Sequence, residues 1–116
     1  MVNKIKRGEI FLVNLEPIKG SEQGMIRPCL IIQNDTSNEY SPTTIIAPIT
    51  SKLYSKEFPT NVQISRNDSG LDRDSTVLLN QIRTIDKSRI IKKLGLLLSS
   101  LMEEVDLAIK VSLGLK

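Results

Sequence analysis

The sequence predicts one mainly β domain, a small antiparallel β-barrel with a single C-terminal α-helix packed on it. Three observations lead there. The 116 residues make one domain, 1–116, long enough to bury a core without staples. The apolar fraction is 40% but aromatics are only 3% and Trp is absent, so the core must be built from Ile, Leu and Val, which fit pleated surfaces. Turn-forming residues punctuate the chain at short intervals up to Ser100, where the apolar period changes from strand-like to helical.

Each element follows in order. Glu9–Leu15 reads as an apolar strand ending at Glu16-Pro17, and Lys19–Ile26 as a polar loop holding Gly20 and Gly24. Pro28–Gln33 reads as a buried strand, followed by the turn-rich Asn34–Pro42. Thr43–Thr50 is β-branched and forms a third strand. After the charged loop Lys52–Pro59, the stretch Thr60–Ser65 alternates. Thr60, Val62 and Ile64 lie on one face and Asn61, Gln63 and Ser65 on the other, as in a half-exposed strand. Arg66–Asp74 is a polar turn in which Gly70 is available for positive φ. Ser75–Ile82 is a further strand, and Arg83–Ile85 continues as a short one. Lys87–Lys93 is expected to hold a short helical turn and present a solvated face. Ser100 and Glu103 have capping-box spacing; after them Leu101, Val105, Ala108, Ile109 and Ser112 form one helical stripe, and Gly114 supplies a stop.

Composition narrows the chemistry. A net charge of +3 is compatible with a nucleic-acid partner and equally with an ordinary soluble protein. The single cysteine, Cys29, allows no intramolecular disulfide and fits a reducing compartment; beside Pro28 in an apolar strand it reads as core. Met1–Gly8 is polar and basic, unlike a signal peptide, and apolar runs such as Cys29–Ile32 and Leu96–Leu98 are far short of a membrane span. A cytoplasmic location without membrane contact is expected. The absence of histidine removes Ser-His-Asp, Cys-His and paired-His catalysis, and with one Cys it leaves no ordinary zinc site. Neither metal nor organic cofactor is expected, so any catalysis falls to Arg, Lys, Ser, Thr, Tyr or carboxylates.

Gly20–Pro28 places hydroxyl, carboxylate, amide and guanidinium groups within a few positions at a strand start. Taken alone, it reads as a polar hairpin loop with a surface cation as readily as a site. A wider pattern surrounds it. Arg7-Gly8-Glu9-Ile10 and Leu15-Glu16-Pro17 open the chain. Gly20-Ser21-Glu22-Gln23-Gly24, Arg27-Pro28 and Ile31-Ile32-Gln33-Asn34-Asp35 follow. Pro48-Ile49-Thr50-Ser51, Leu79-Asn80-Gln81-Ile82-Arg83-Thr84-Ile85-Asp86 and the amphipathic helix complete it. In order and spacing, from about Lys6 to Leu115, this resembles the MazF/PemK toxins. Two positions depart from that pattern. Met25 stands where many relatives carry a second Gly, which is expected to stiffen the loop while keeping Arg27 in register. Glu9 replaces a common Asp, with no effect expected.

The resemblance implies an SH3-like barrel that dimerises and cleaves single-stranded RNA without metal at a short motif, guessed to be of the UACAU type. Attack by a ribose 2′-OH would leave a 2′,3′-cyclic or 3′-phosphate and a 5′-OH. It further implies a small acidic antitoxin of the MazE kind covering the RNA groove. The catalytic pair carries over to Arg27 and Thr50. The planar fork of Arg27 suits the developing phosphate charge, and Thr50 supplies a hydroxyl donor. Glu22 is expected either to orient Arg27 or assist at the 2′-OH, or to form a plain ion pair. Ser21 and Gln23 are candidate RNA contacts, with bonding inside the loop as the alternative. Gln81 and Arg83 are candidates to line the groove or to serve the barrel rim. Lys52, Lys56 and Phe58 are candidates for an RNA clamp, with Phe58 stacking on a base, or for a mobile charged loop. The apolar fraction in so short a chain independently suggests a dimer. Two other functions compete. A CcdB-like gyrase poison on the same fold would depend on a C-terminal aromatic tail, and this chain ends Ser112-Leu-Gly-Leu-Lys116. A non-catalytic SH3-like RNA-binding module would need more basic surface and more stacking aromatics than two Tyr and two Phe.

Overall fold

The computed structural model describes residues 4–54 and 58–116. Among the described residues, seven strands and three α-helices follow in the order β1 (Glu9–Asn14), β2 (Ile26–Ile31), α1 (Asp35–Tyr40), β3 (Thr43–Thr50), β4 (Asn61–Ile64), α2 (Arg66–Ser69), β5 (Ser75–Leu78), β6 (Arg83–Asp86), β7 (Ile90–Leu96) and α3 (Ser99–Leu113). Every ladder is antiparallel, in the order β4–β5–β3–β2–β1–β7, with β6 on β3. The eight residues of β3 organise this path. One edge pairs with β2. The other is shared, Thr43–Ile46 taking β6 and Ile49–Thr50 taking β5.

The inner strands bury apolar side chains on both faces. Ile10, Leu30, Ile32, Ala47 and Ile49 enter one core, which α3 covers with Val105 and Ala108. The intervening residues Phe11, Val13, Cys29, Ile31 and Ile46 enter a second core with Ile85 and Ile90. This explains why β1, β2 and β3 read as continuous apolar runs while β4, with Gln63 exposed, alternates. A small buried polar cluster anchors α1. Asn38 Nδ2 donates to the Gln33 carbonyl (2.9 Å), Thr44 Oγ1 donates to Asn38 Oδ1 (2.7 Å), and Lys87 Nζ donates to the Asn38 carbonyl. The N-terminal approach to β1 is tied to helices α1 and α3. Arg7 pairs with Asp106 of α3 at 2.5 Å, and its N–H, donated to Asp35 at 2.7 Å, holds that carboxyl below its ordinary range. Glu9 bridges its neighbours, accepting from Lys6 N–H and pairing with Lys93 at 2.6 Å each.

Among the described residues, β4 and β7, the two ends of the ladder path, share no hydrogen-bonded register. The barrel-like curl is held at this seam by backbone packing instead. Ser65 caps α2, and Gly70 ends it in the left-handed region at φ +78°. That turn rests on β7 at Gly95, where a Cβ would stand 2.0 Å from the Ser69 carbonyl oxygen. Only glycine allows this approach.

Four local expectations are corrected. Asn34–Pro42 is not only turn: Asn34 accepts from Ser37 N–H and caps the short helix α1. Helical geometry in Lys87–Lys93 is limited to a 3-10 turn at Lys87–Arg89, and the rest is strand β7. Strand β5 stops at Leu78, short of Ile82. The capping box at Ser100 and Glu103 is not made, because α3 already begins at Ser99. Its N-cap, Leu98, has no side-chain acceptor, while the Leu98 carbonyl takes the N–H groups of Leu101 and Met102.

Gly95→Ala is expected to cost about 1–3 kcal/mol, as forced overpacking does. In a thermal melt this should lower Tm by several degrees. An unchanged Tm would show that the seam is not held at this contact.

Candidate functional site

Arg27 and Thr50 meet where the β2–β3 ladder runs out. Cys29 is paired with Pro48, Leu30 with Ala47 and Ile31 with Ile46; continued by two residues, this register sets Arg27 opposite Thr50 on one face. Both line an open hollow of about 530 Å³. Leu12, Pro28, Ile49, Leu71 and Leu94 form its apolar wall, while Ser51, Arg73, Ser75 and Lys92 add hydroxyls and cations and Asp72 a carboxylate. Thr50 is fixed by pairing with Thr76 and by accepting the Lys52 N–H (3.2 Å), which leaves its O–H proton available to a substrate oxygen. Half-buried Arg27 donates from Nε to the Gly24 carbonyl (2.8 Å). Among the described residues no carboxylate or carbonyl occupies its two terminal nitrogens, so the fork is free to bind an anion.

The loop that receives Arg27 is itself tightly built. Met25, the position where many relatives carry Gly, sits at φ +66°. A side chain there costs about 1–2 kcal/mol, and bonding on both sides offsets it. Met25 N–H donates to Glu16 Oε1 (2.6 Å), and its carbonyl accepts from Leu15 N–H (3.0 Å). The β1–β2 register remains intact, with Val13 opposite Arg27. Arg83 and Arg89 brace the end of β1. Arg83 donates to the Leu15 carbonyl at 3.0 Å, and Arg89 to the Asn14 carbonyl at 3.1 Å and to the Glu16 carbonyl.

The other expected residues separate into groups. Glu22, Gln23, Gln81 and Arg83 line a second hollow of about 130 Å³ beside Pro48, which lies two residues along the β2–β3 register from Thr50. Gln23 N–H donates to Gln81 Oε1 at 3.4 Å, joining the two chain segments. Glu22 does not orient Arg27. Its carboxylate accepts Lys19 N–H at 2.6 Å and forms no ion pair with the guanidinium. Ser21 is exposed on the same loop. Lys52 lies 5.0 Å from the Tyr54 ring centroid. Phe58 meets Tyr54 edge-on at 5.8 Å and lines a third hollow, between β4 and α3. It is not brought to Arg27. Lys56 lies outside the described residues. Sequence reasoning missed Arg73 and Lys92, because the first was assigned to a polar turn and the second to a solvated face. Ile and Leu flank Lys92 in Ile90–Leu96, but Lys92 and Lys93 break that run at its middle, so the strand signal there is weak.

Cys29 is buried beneath this region. Burial pushes its thiol up to about 12, against the opposing pull of the nearby guanidinium groups of Arg27 and Arg83. It is therefore a core residue and not a nucleophile. Among the described residues no group of three His, Cys, Asp or Glu side chains is placed to hold a metal ion. No described helix is long and apolar enough to cross a membrane.

Residues 6–113 match the sequence model of the PemK-like, MazF-like toxins of type II toxin-antitoxin systems. The chain belongs to this family. Solved structures of MazF/PemK toxins resemble it along nearly their whole length. MazF from Deinococcus radiodurans is 26% identical, with a TM-score of 0.82 over 97% of this chain and 98% of that one. An endoribonuclease solved with its cognate antitoxin from a mycobacterial species has 22% identity, a TM-score of 0.81 and 97% coverage of each chain. A MazE–MazF complex from Deinococcus radiodurans has 25% identity and a TM-score of 0.75 over 97% of each chain. This toxin therefore has the MazF fold, a mostly antiparallel β-sheet with a C-terminal helix.

A buried thiol titrating near 12 is neutral at ordinary pH and shielded from reagent. Native protein at pH 8 is expected to resist iodoacetamide, whereas denatured protein should label fully by mass spectrometry. Rapid labelling of the folded chain would contradict this placement.

Proposed function

We propose that this toxin is a metal-independent endoribonuclease that cuts single-stranded RNA, with Arg27 and Thr50 at the scissile phosphate. The supporting observation is the unpaired Arg27 fork beside the Thr50 hydroxyl in one half-open hollow. The ribose 2′-OH attacks its own phosphorus, the bond from phosphorus to the 5′-oxygen breaks, and a 2′,3′-cyclic phosphate and a 5′-OH result. Water can then open the cycle to a 3′-phosphate. The proton lost at the 2′-oxygen balances the one gained at the 5′-oxygen, so cyclisation needs no net acid or base. What it needs is stabilisation of the crowded phosphate and in-line geometry. Arg27 supplies two aligned N–H donors and Thr50 one O–H donor. A guanidinium acts here through charge and not as a base.

Gln23, Gln81 and Arg83 extend the proposed RNA path into the smaller hollow, with Ser21 exposed on the same loop as Gln23 and Lys52 two residues past Thr50, to which its N–H donates. Glu22 holds the loop through Lys19, and Phe58, turned toward α3, is left out of the contact set. The cut motif is proposed to be short, of the UACAU type. A homodimer is supported by Leu96, Leu98, Leu107, Val111, Leu113 and Leu115, all more than half exposed on β7, α3 and the segments beside them. A small acidic antitoxin that folds over the groove complements the positive net charge and the cations of the hollow. A cytoplasmic location completes the reading.

The test is cleavage of a long single-stranded RNA in EDTA, with end mapping, alongside the solution mass by light scattering. Wild type should give discrete cuts at one repeated motif and a mass about twice the 13.0 kDa chain. Arg27→Ala is expected to cut about 100-fold to 1,000-fold more slowly, and Thr50→Ala at least about tenfold more slowly. Intact RNA from folded wild-type protein would reject the nuclease, and a 13.0 kDa mass would reject the dimer.

A further inference from the structure

Orienting Arg27 was one of the roles open to Glu22, but the carboxylate that reaches Arg27 through the backbone is a different one. We infer that Glu16 is the positioning residue for Arg27, acting through the single peptide between Gly24 and Met25. That peptide is trans, so its N–H and C=O point in opposite directions. Glu16 Oε1 accepts the N–H at 2.6 Å, and Arg27 Nε donates to the C=O at 2.8 Å. An anion at the N–H end and a cation at the C=O end both align with the peptide dipole, and each bond is charge-assisted. Rotation of this one plane would break both bonds together and release the fork that shares the hollow with Thr50.

Three further features support the assignment. Glu16 is itself held, its N–H donating to Asn14 Oδ1 at 3.0 Å and its carbonyl accepting from Arg89. The carboxylate lies so close over Gly24 that a Cβ there would stand 2.8 Å from Oε1. Met25 holds a left-handed conformation that a side chain disfavours, so this peptide needs an external hold that a glycine would not require. Glu16 touches no substrate in this scheme. It aims the group that does, and its catalytic part rests on the nuclease reading above.

The test has two arms. The first is the NMR signal of the Arg27 Nε–H, assigned by its absence in Arg27→Lys. Wild type and Glu16→Gln should both keep a protected signal, because the amide oxygen still accepts from Met25. Glu16→Ala and Gly24→Ala should show solvent exchange at that proton about tenfold faster or more. The second arm is cleavage kinetics. Glu16→Ala should lower kcat about tenfold, as loss of one charge-assisted bond does, with KM within about twofold, because a misaimed fork fails chiefly at the transition state. Glu16→Gln should retain most of the activity, and adding Met25→Gly to Glu16→Ala should restore part of it. Should Glu16→Ala not fold, Glu16→Asp, one methylene too short to reach Met25, replaces it. Unchanged Arg27 exchange in Glu16→Ala and Gly24→Ala would overturn the positioning role. If wild type leaves RNA intact, the nuclease reading falls, and the exchange measurement alone still decides the link between Glu16 and Arg27.

Discussion

The β2–β3 ladder has no free face. Cys29, Ile31 and Ile46 fill one core while Leu30, Ile32 and Ala47 fill the other. A slip of one residue in either strand would exchange the two sets, placing side chains chosen for one cavity into the other. The register is therefore fixed by packing on both sides at once, and the rest of the molecule takes its position from it. The free edge of β3 is divided between β6 and β5, β1 lies on β2, and β7 lies on β1.

The proposed site lies where that double burial ends. Past the Pro28 and Ile49 level the apolar sets run out, and the next cross-strand position sets Arg27 opposite Thr50. Arg27 is thus rooted in a strand that cannot shift, while its tip depends on a loop that could. The contacts of Glu16, Arg83 and Arg89 at the end of β1 restrict that loop. The apolar wall of Leu12, Ile49, Leu71 and Leu94 lowers the local dielectric around the cation.

What could be read from the chain follows the same division. Strands β1, β3 and β4 were legible because their neighbours in sequence carry the pattern: apolar runs where both faces are covered, alternation where one is. Strand β7 was not, because Lys92 and Lys93 interrupt the apolar signal at its middle, and because its role as an edge on β1 is decided by tertiary contact. Helix α1 depends on Asn34, a residue that signals turns as readily as caps. Arg27 and Thr50 were found through family resemblance and then placed together by register. The meeting of Gln23 with Gln81, across 58 positions, and the entry of Arg73 and Lys92 into the hollow belong to the closed fold and leave no local trace.

The seam at Gly95 carries a consequence for how the protein is made. Lys92, Leu94 and the Gly95 contact belong to the last quarter of the 116-residue chain, whereas Arg27 and Thr50 are synthesised in its first half. A growing chain on the ribosome therefore carries both polar residues long before the wall that makes a hollow around them. Contacts between such distant segments also close late in folding. A chain of this toxin that stops before β7 holds Arg27 and Thr50 without the wall that Lys92 and Leu94 supply.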